Sequence, residues 1–332
     1  MNFLVTFLIF LIILFLYIHI HDQYKKSEDL EIYEMDYISN AELQKICNVK
    51  QPTIFEFKKI VPEFFSNFEN REHLTSFSKK SENIDVKMKD ILDYWNPELK
   101  SIDPTILPFR SFQTLVKSDP KSHFFMEENQ DFLEETDLLP EIRELDPFLK
   151  PTFNCHSKYD LMIGSADCVT PMRYHTDYRK FLTVVSGKIT IKMTPWKSRK
   201  YLHPILDYDN YEFFSKINVW SPQKEYLNEM DKLKFLEFEV VSGYVLYIPP
   251  YWWYSIKFYP NTEIVSTSYQ TIMNISSNIP DIFRYYLQFH NTKRKITRTL
   301  DIEISNTNSD NNNNNNSNNS NNSDNIVITS TI

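Results

Sequence analysis

From Tyr159 onward the chain offers one strand after another, and this succession narrows the folds open to it more than any other feature. The segments Tyr159–Ile163, Phe181–Val185, Lys188–Met193, Leu236–Val241, Tyr244–Ile248, Trp252–Phe258 and Ile264–Tyr269 are short and rich in Val, Ile, Tyr, Phe and Trp. Such side chains suit a pleated, half-buried surface, and turn residues separate the segments. Strands at this spacing predict a closed sandwich or barrel. A helical stretch, Asp281–Lys295, follows with Ile282, Phe283, Tyr286, Leu287 and Phe289 at helical spacing, which predicts a helix packed through them onto that body.

Glycine is scarce. The chain has 3, where average usage would give roughly 23, so each is expected where the backbone demands it. Gly187 and Gly243 both follow a serine between strand-like segments, which reads as two hairpin turns with positive φ. Gly164 closes the run Leu161-Met-Ile-Gly. Upstream, residues 51–150 mix strand-like runs such as Thr53–Phe57 with acidic helical stretches such as Asp131–Leu145. The net charge of −8, from 36 basic and 44 acidic residues, argues against a surface built to coat nucleic acid. Cys47, Cys155 and Cys168 form no CxxC pair and no disulfide framework, which suits a reducing compartment.

Both ends differ from this middle. Phe3–Ile18 is apolar apart from Thr6, and the run continues through His19 to Ile20. Eighteen helical residues rise about 27 Å, near the lower limit for crossing a bilayer. No Lys or Arg precedes the run and no small-x-small site follows it, so a retained single-pass anchor is favoured over a cleaved signal peptide. Lys25 and Lys26 follow the helix, and the positive-inside bias then places the globular part in the cytosol. At the other end, thirteen of the twenty residues from Asn306 to Asn325 are Asn, a composition with nothing to bury. The expected organisation is an anchor (1–21), a charged stalk (22–50) with a short helix around Asn40–Cys47, a globular domain (51–290), a linker (291–305) and a disordered tail (306–332).

Two segments carry a family resemblance. One is Ile163-Gly-Ser-Ala-Asp-Cys-Val-Thr-Pro-Met-Arg-Tyr-His-Thr-Asp, and the other is Val245-Leu-Tyr-Ile-Pro-Pro-Tyr-Trp-Trp-Tyr. Between them lie Gly187-Lys188, Pro195-Trp196 and Ser221-Pro222 in matching order. Over roughly residues 50 to 290 the chain resembles the JmjC/cupin-like family of iron- and 2-oxoglutarate-dependent oxygenases, especially its asparaginyl-hydroxylase-like branch. The resemblance implies a mainly β fold with flanking helices, a double-stranded β-helix or jelly roll. It also implies Fe(II) held by two His and one carboxylate, with three positions left for 2-oxoglutarate and oxygen.

The sequence departs from that pattern at the chemistry. Tyr254 stands where the family has its distal His, after Trp252 and Trp253. The family's His-x-Asp falls on Arg173 and His175 in one register and on His175 and Asp177 in another. The second gives His175 and Asp177 as candidate metal ligands, and both put residues 173, 175 and 177 on one strand face. The residue gripping 2-oxoglutarate maps to Lys188, or to Ile189 if Gly187 is matched to the family's Gly. Thr170, Arg173, Lys188 and Ser268 are the candidate co-substrate or ligand contacts, and Trp252 and Trp253 the candidate cavity wall. His156 and His203 are conceivable third ligands. Cys155, His156, Cys168 and His175 match no common zinc spacing. Two function classes result: an oxygenase acting on a protein or RNA side group, and a non-catalytic, membrane-tethered binding module that has lost its iron and meets a protein substrate or partner.

The anchor reading has a direct check. The full-length chain should remain with membranes through an alkaline carbonate wash, and deletion of residues 1–21 should release it into the supernatant. A mature N-terminus beyond residue 21 would show secretion instead.

Overall fold

The computed structural model describes residues 3–70 and 80–291. The Asn-rich tail and nearly all of the expected linker lie outside these residues. Fifteen strands form two sheets that face each other, as expected of a jelly roll with helices outside. Numbered along the chain, they begin with β1 (Tyr33–Met35), β2 (Thr53–Glu56), β3 (Asp85–Asp90), β4 (Thr105–Pro108) and β5 (Phe124–Met126). Next come β6 (Asn154–Gly164), β7 (Arg173–Tyr174), β8 (Arg179–Ser186), β9 (Lys188–Thr194) and β10 (Pro204–Asp207). The last are β11 (Glu212–Ser215), β12 (Leu236–Val241), β13 (Tyr244–Ile248), β14 (Trp253–Phe258) and β15 (Glu263–Thr271). The larger sheet runs β1-β2-β13-β8-β15-β6-β5-β3-β4, and the smaller runs β10-β11-β7-β14-β9-β12.

Alternation along the strands sorts the apolar residues into separate cores. On β8, Leu182 and Val184 point between the sheets, while Phe181 and Val185 point outward under the N-terminal helices. On β14, Tyr254, Ile256 and Phe258 point inward with Trp252 just before them, and Trp253 packs in a third cluster outside the smaller sheet. Inside the barrel Ile189, Ile191, Leu246, Ile248 and Ile256 are fully buried, so its closed end is a packed core.

Gly187 and Gly243 do have positive φ, +67° and +94°, but they do not sit in hairpins. β8 and β13 belong to the larger sheet, and β9 and β12 to the smaller. Each glycine therefore marks a corner where the chain changes sheets. The two corners are stitched together: the Ser242 amide donates to the Gly187 carbonyl at 3.0 Å and the Gly243 amide to Val184 at 2.9 Å.

The segment expected as a stalk is built into the domain. β1 pairs in parallel with β2, and the helix Asn40–Asn48 buries Leu43 and Cys47 in the outer core. Its apolar face, hidden among charged residues, is what the composition concealed. The N-terminal helix Phe3–Gln23 is long and apolar enough to cross a membrane, with mean hydropathy 2.9 and none of that span buried. The C-terminal helix Ile272–Asn291 reverses the expected orientation. Its polar residues Asn274, Ser277 and Asn278 are buried, whereas Phe283, Tyr286 and Leu287 are exposed.

Gly164 generates a stability test. A Cβ there would lie 2.6 Å from Cδ2 of the buried Phe258 ring, which has no space to retreat. Gly164→Ala should lower stability by about 1–3 kcal/mol, the usual cost of overpacking, read as a lower urea midpoint. Pairing it with Phe258→Leu should recover part of the loss.

Candidate functional site

A cavity of about 750 Å³ opens between the sheets at the end opposite the glycine corners. Its floor is ionic. Arg173, on the short strand β7, lies directly opposite Tyr254 of β14 and Phe214 of β11. Its guanidinium donates to both Glu127 oxygens, at 2.6 Å each, and to Glu212 Oε1 at 3.1 Å. Lys89 Nζ approaches Glu127 at 2.9 Å and Glu212 at 3.2 Å, and the Tyr94 hydroxyl donates to Glu212 at 2.8 Å. Lys89, Glu127, Arg173 and Glu212 are all buried. Glu128 also approaches Lys89, at 3.5 Å from a half-exposed position, so two cations are set among three carboxyl groups.

Burial opposes ionisation of Lys89, Glu127 and Arg173, and the pairing outweighs it. Glu127 is held well below the usual carboxylate range by Arg173 and then Lys89, against its desolvation. Arg173 is held above its ordinary value by Glu127, again against desolvation. Removing one partner from such a buried pair costs about 3–5 kcal/mol, because the other charge is left uncompensated.

Above this floor three side chains converge: Arg173, His175 and Tyr254. The guanidinium carbon lies 5.7 Å from the Tyr254 ring centroid, and the His175 ring lies 6.3 Å from the same ring. His175 Nε2 is 3.0 Å from the Ile248 carbonyl, an acceptor, so Nε2 carries the proton. Nδ1 has no hydrogen-bond partner. Burial pushes the imidazole down to about 4, so the ring is neutral at physiological pH. Asp177 accepts from Gln270 Nε2 at 2.7 Å. Burial raises its pKa, but Lys158, His175 and Lys180 together hold it below the usual range.

The opposite wall belongs to the larger sheet. Ser268 of β15 pairs with Lys180 of β8 on one side and Lys158 of β6 on the other, and all three line the cavity with Ser266 and Gln270. The C-terminal helix closes the top: Asn274 and Asn278 both donate to the Thr176 carbonyl, at 2.9 and 3.1 Å.

Among the residues singled out from the sequence, Arg173, His175, Asp177, Tyr254 and Ser268 meet at this cavity, and His156 stands at its edge. Lys188 does not reach it. Its ammonium lies on the surface, 2.9 Å from Glu239, because it faces away from the barrel. The inward position beside it is Ile189, which is fully buried in apolar packing. Thr170 is tied into the sheet, accepting from the Ile256 amide at 2.9 Å. Trp252 and Trp253 are core residues that do not line the cavity. Cys168 is buried among apolar side chains, and His203 faces Glu229 at the surface.

Lys89, Glu127, Lys158, Lys180 and Glu212 escaped the sequence reading. Lys180 has a specific reason. The chain leaves the smaller sheet at Tyr174 and enters the larger at Arg179, so the period-two alternation through 173, 175 and 177 resets before 180.

The residues at the convergence do not fit Fe(II). A guanidinium has five donors and no lone pair to offer, and a tyrosine hydroxyl replaces the imidazole nitrogen that this iron site uses. Among the described residues, no three His, Cys, Asp or Glu side chains gather closely enough to hold a metal ion. In comparison with known families, the model of the cupin-like domain covers residues 23–279, more than half of the chain. A search of curated proteins finds no match.

The buried imidazole implies a pH dependence. As pH falls through about 6.5, the unfolded chain takes up the proton first, while folded His175 resists until about 4. His175 therefore contributes stability that is complete above about 6.5 and is lost as pH falls toward 4. Urea midpoints measured across that window should fall with acid in the unmodified chain and fall less steeply in His175→Gln.

Proposed function

The chain belongs to the cupin-like domain family, and from that premise we propose that it is a membrane-anchored binding module whose cavity does not hold iron. The observation that carries this reading is Arg173, clamped by Glu127 and Glu212 and set against Tyr254. The guanidinium at the floor of the cavity has no lone pair to offer a metal, and its carboxylate partners are already committed to it by hydrogen bonds. The absence of an inward basic residue on β9, where Ile189 and Ile191 fill the barrel, removes the expected grip on 2-oxoglutarate as well.

What remains is a cavity of ligand size with a polar wall. Lys158 and Lys180 flank Ser268, and Asp177, Gln270 and Asn210 add acceptors and donors around them. Such a lining suits a small polar molecule or the side chain of a protein partner, bound by charge and hydrogen bonds without chemistry on it. The N-terminal helix tethers this module to a membrane, with its body in the cytosol.

A second reading keeps the family's activity: a 2-oxoglutarate-dependent oxygenase using His175 and Asp177 with a third ligand not identified. The features favouring it are the neutral His175 ring with its free Nδ1 and the ionised Asp177. Metal analysis separates the two. The full-length chain purified in detergent should contain no stoichiometric iron, bind Mn(II) weakly or not at all, and leave 2-oxoglutarate unconsumed. Tyr254→His should improve Mn(II) affinity if His175 is a usable donor. Stoichiometric iron with 2-oxoglutarate turnover that disappears in His175→Ala would establish the oxygenase and overturn the binding-module reading.

A further inference from the structure

The C-terminal helix Ile272–Asn291 is amphipathic the wrong way round for a soluble domain. Residues Asn274, Ser277, Asn278, Asp281 and Tyr285 follow the 3-and-4 spacing of one helical face. That face is turned inward: Asn274 and Asn278 bond to Thr176, Asp281 accepts from the Tyr208 hydroxyl at 2.9 Å, and Asn278 and Tyr285 line the cavity. The opposite face carries Ile272, Ile279, Phe283, Tyr286 and Leu287, with Ile279 58% and Phe283 61% exposed. Within one helix the polar face is used for internal packing and the apolar face is presented outward. An apolar stripe of this kind needs a cover.

The structure supplies the direction from which the cover comes. The N-terminal helix packs against this C-terminal helix, and the Tyr24 hydroxyl, one residue beyond the N-terminal helix, donates to the Ser277 carbonyl. No free spacer follows it. Lys26 Nζ sits 4.0 Å from the Trp196 ring centroid and 4.4 Å from that of Tyr251, and Gln51 donates to the Asp29 carbonyl at 2.7 Å. The domain is thus fastened at the very end of its anchor, beside the helix bearing the stripe.

We propose that the outward face of Ile272–Asn291 docks into the interfacial layer of the bilayer that the N-terminal helix crosses. This rests on reading that helix as a membrane anchor. A helix with Ile, Leu, Phe and Tyr on one face lies in the membrane plane with that face about 5–10 Å deep in the headgroup and acyl boundary. Here the polar face is satisfied by the domain instead of by water. The cavity roofed by the same helix is then held about one helix diameter, roughly 10 Å, from the lipid surface, so its ligand is met at the membrane.

Depth measurement by spin labelling tests the proposal on the full-length chain in phosphatidylcholine–phosphatidylserine vesicles. Nitroxides are placed singly at Ile12→Cys, Ile279→Cys, Phe283→Cys and Val241→Cys in a Cys155→Ser background, Cys47 and Cys168 being buried. Val241, exposed beside the Gly243 corner at the far end of the barrel, is the water reference. The expected result is a deep label at 12, labels at 279 and 283 more accessible to oxygen than to a water-soluble nickel complex, and the reverse at 241. Labels at 279 and 283 that behave like 241 while 12 is deep would overturn the docking and leave the anchor standing. A water-exposed label at 12 would remove the anchor and the proposal with it. Dipolar broadening between labels at 283, with 12 deep, would assign the stripe to a second copy of this chain and overturn the proposal.

Discussion

The ion cluster of Lys89, Glu127, Arg173 and Glu212 joins the two sheets at the point where they would otherwise part. Lys89 and Glu127 belong to the larger sheet and its margin, and Arg173 and Glu212 to the smaller. A jelly roll closes at one end through apolar packing, here through Ile189, Ile191, Leu246 and Ile256. The other end must stay open to hold a cavity, so it needs a different adhesive. Charge pairs provide one that is directional, since each member accepts or donates only along fixed lines. The position of every other cavity residue follows from this clamp. Arg173 fixes β7, β7 sets the start of the segment carrying His175 and Asp177, and Tyr254 lies across from it.

Over the cavity itself, the lid is held at one carbonyl. Two asparagines of the C-terminal helix converge on Thr176, between the two residues that the family pattern marks for metal. The helix is therefore part of the site's geometry as well as its roof. The outward apolar stripe and the cavity lining are two faces of one element, and one cannot move without the other.

Much of the fold was legible in the sequence. The strand succession from Tyr159 to Tyr269 and the order of the two quoted motifs led to a jelly roll because period-two alternation survives in each strand. The stalk was misread because its only burial signal is a nine-residue helix with two core residues, Leu43 and Cys47, among charges. The glycine corners were read as hairpins because positive φ reports a turn without saying which sheet the next strand joins. At the site, Arg173, His175, Asp177, Tyr254 and Ser268 were found because they lie within or beside family motifs. Glu127 and Lys89 were not, since Glu127 meets Arg173 across 46 positions and Lys89 meets Glu127 across 38, and no local pattern announces a tertiary ion pair. The last helix was placed with its wrong face inward because the segment read, Asp281–Lys295, begins after Asn274, Ser277 and Asn278, the polar residues that bury its inner face.

The clamp around Arg173 also limits what neighbouring sequences are open to this chain. To turn the convergence point into a three-ligand metal site, Arg173, Tyr254 and their surroundings would have to change together. Replacing Arg173 first strands Glu127 and Glu212 against Lys89 alone, leaving uncompensated negative charge at the buried floor of the cavity. Replacing Glu127 first leaves the guanidinium without its bidentate partner. Each single step descends into a less stable protein before a later one recovers it, so a metal site here could be reached only by coupled substitutions at the floor of the cavity.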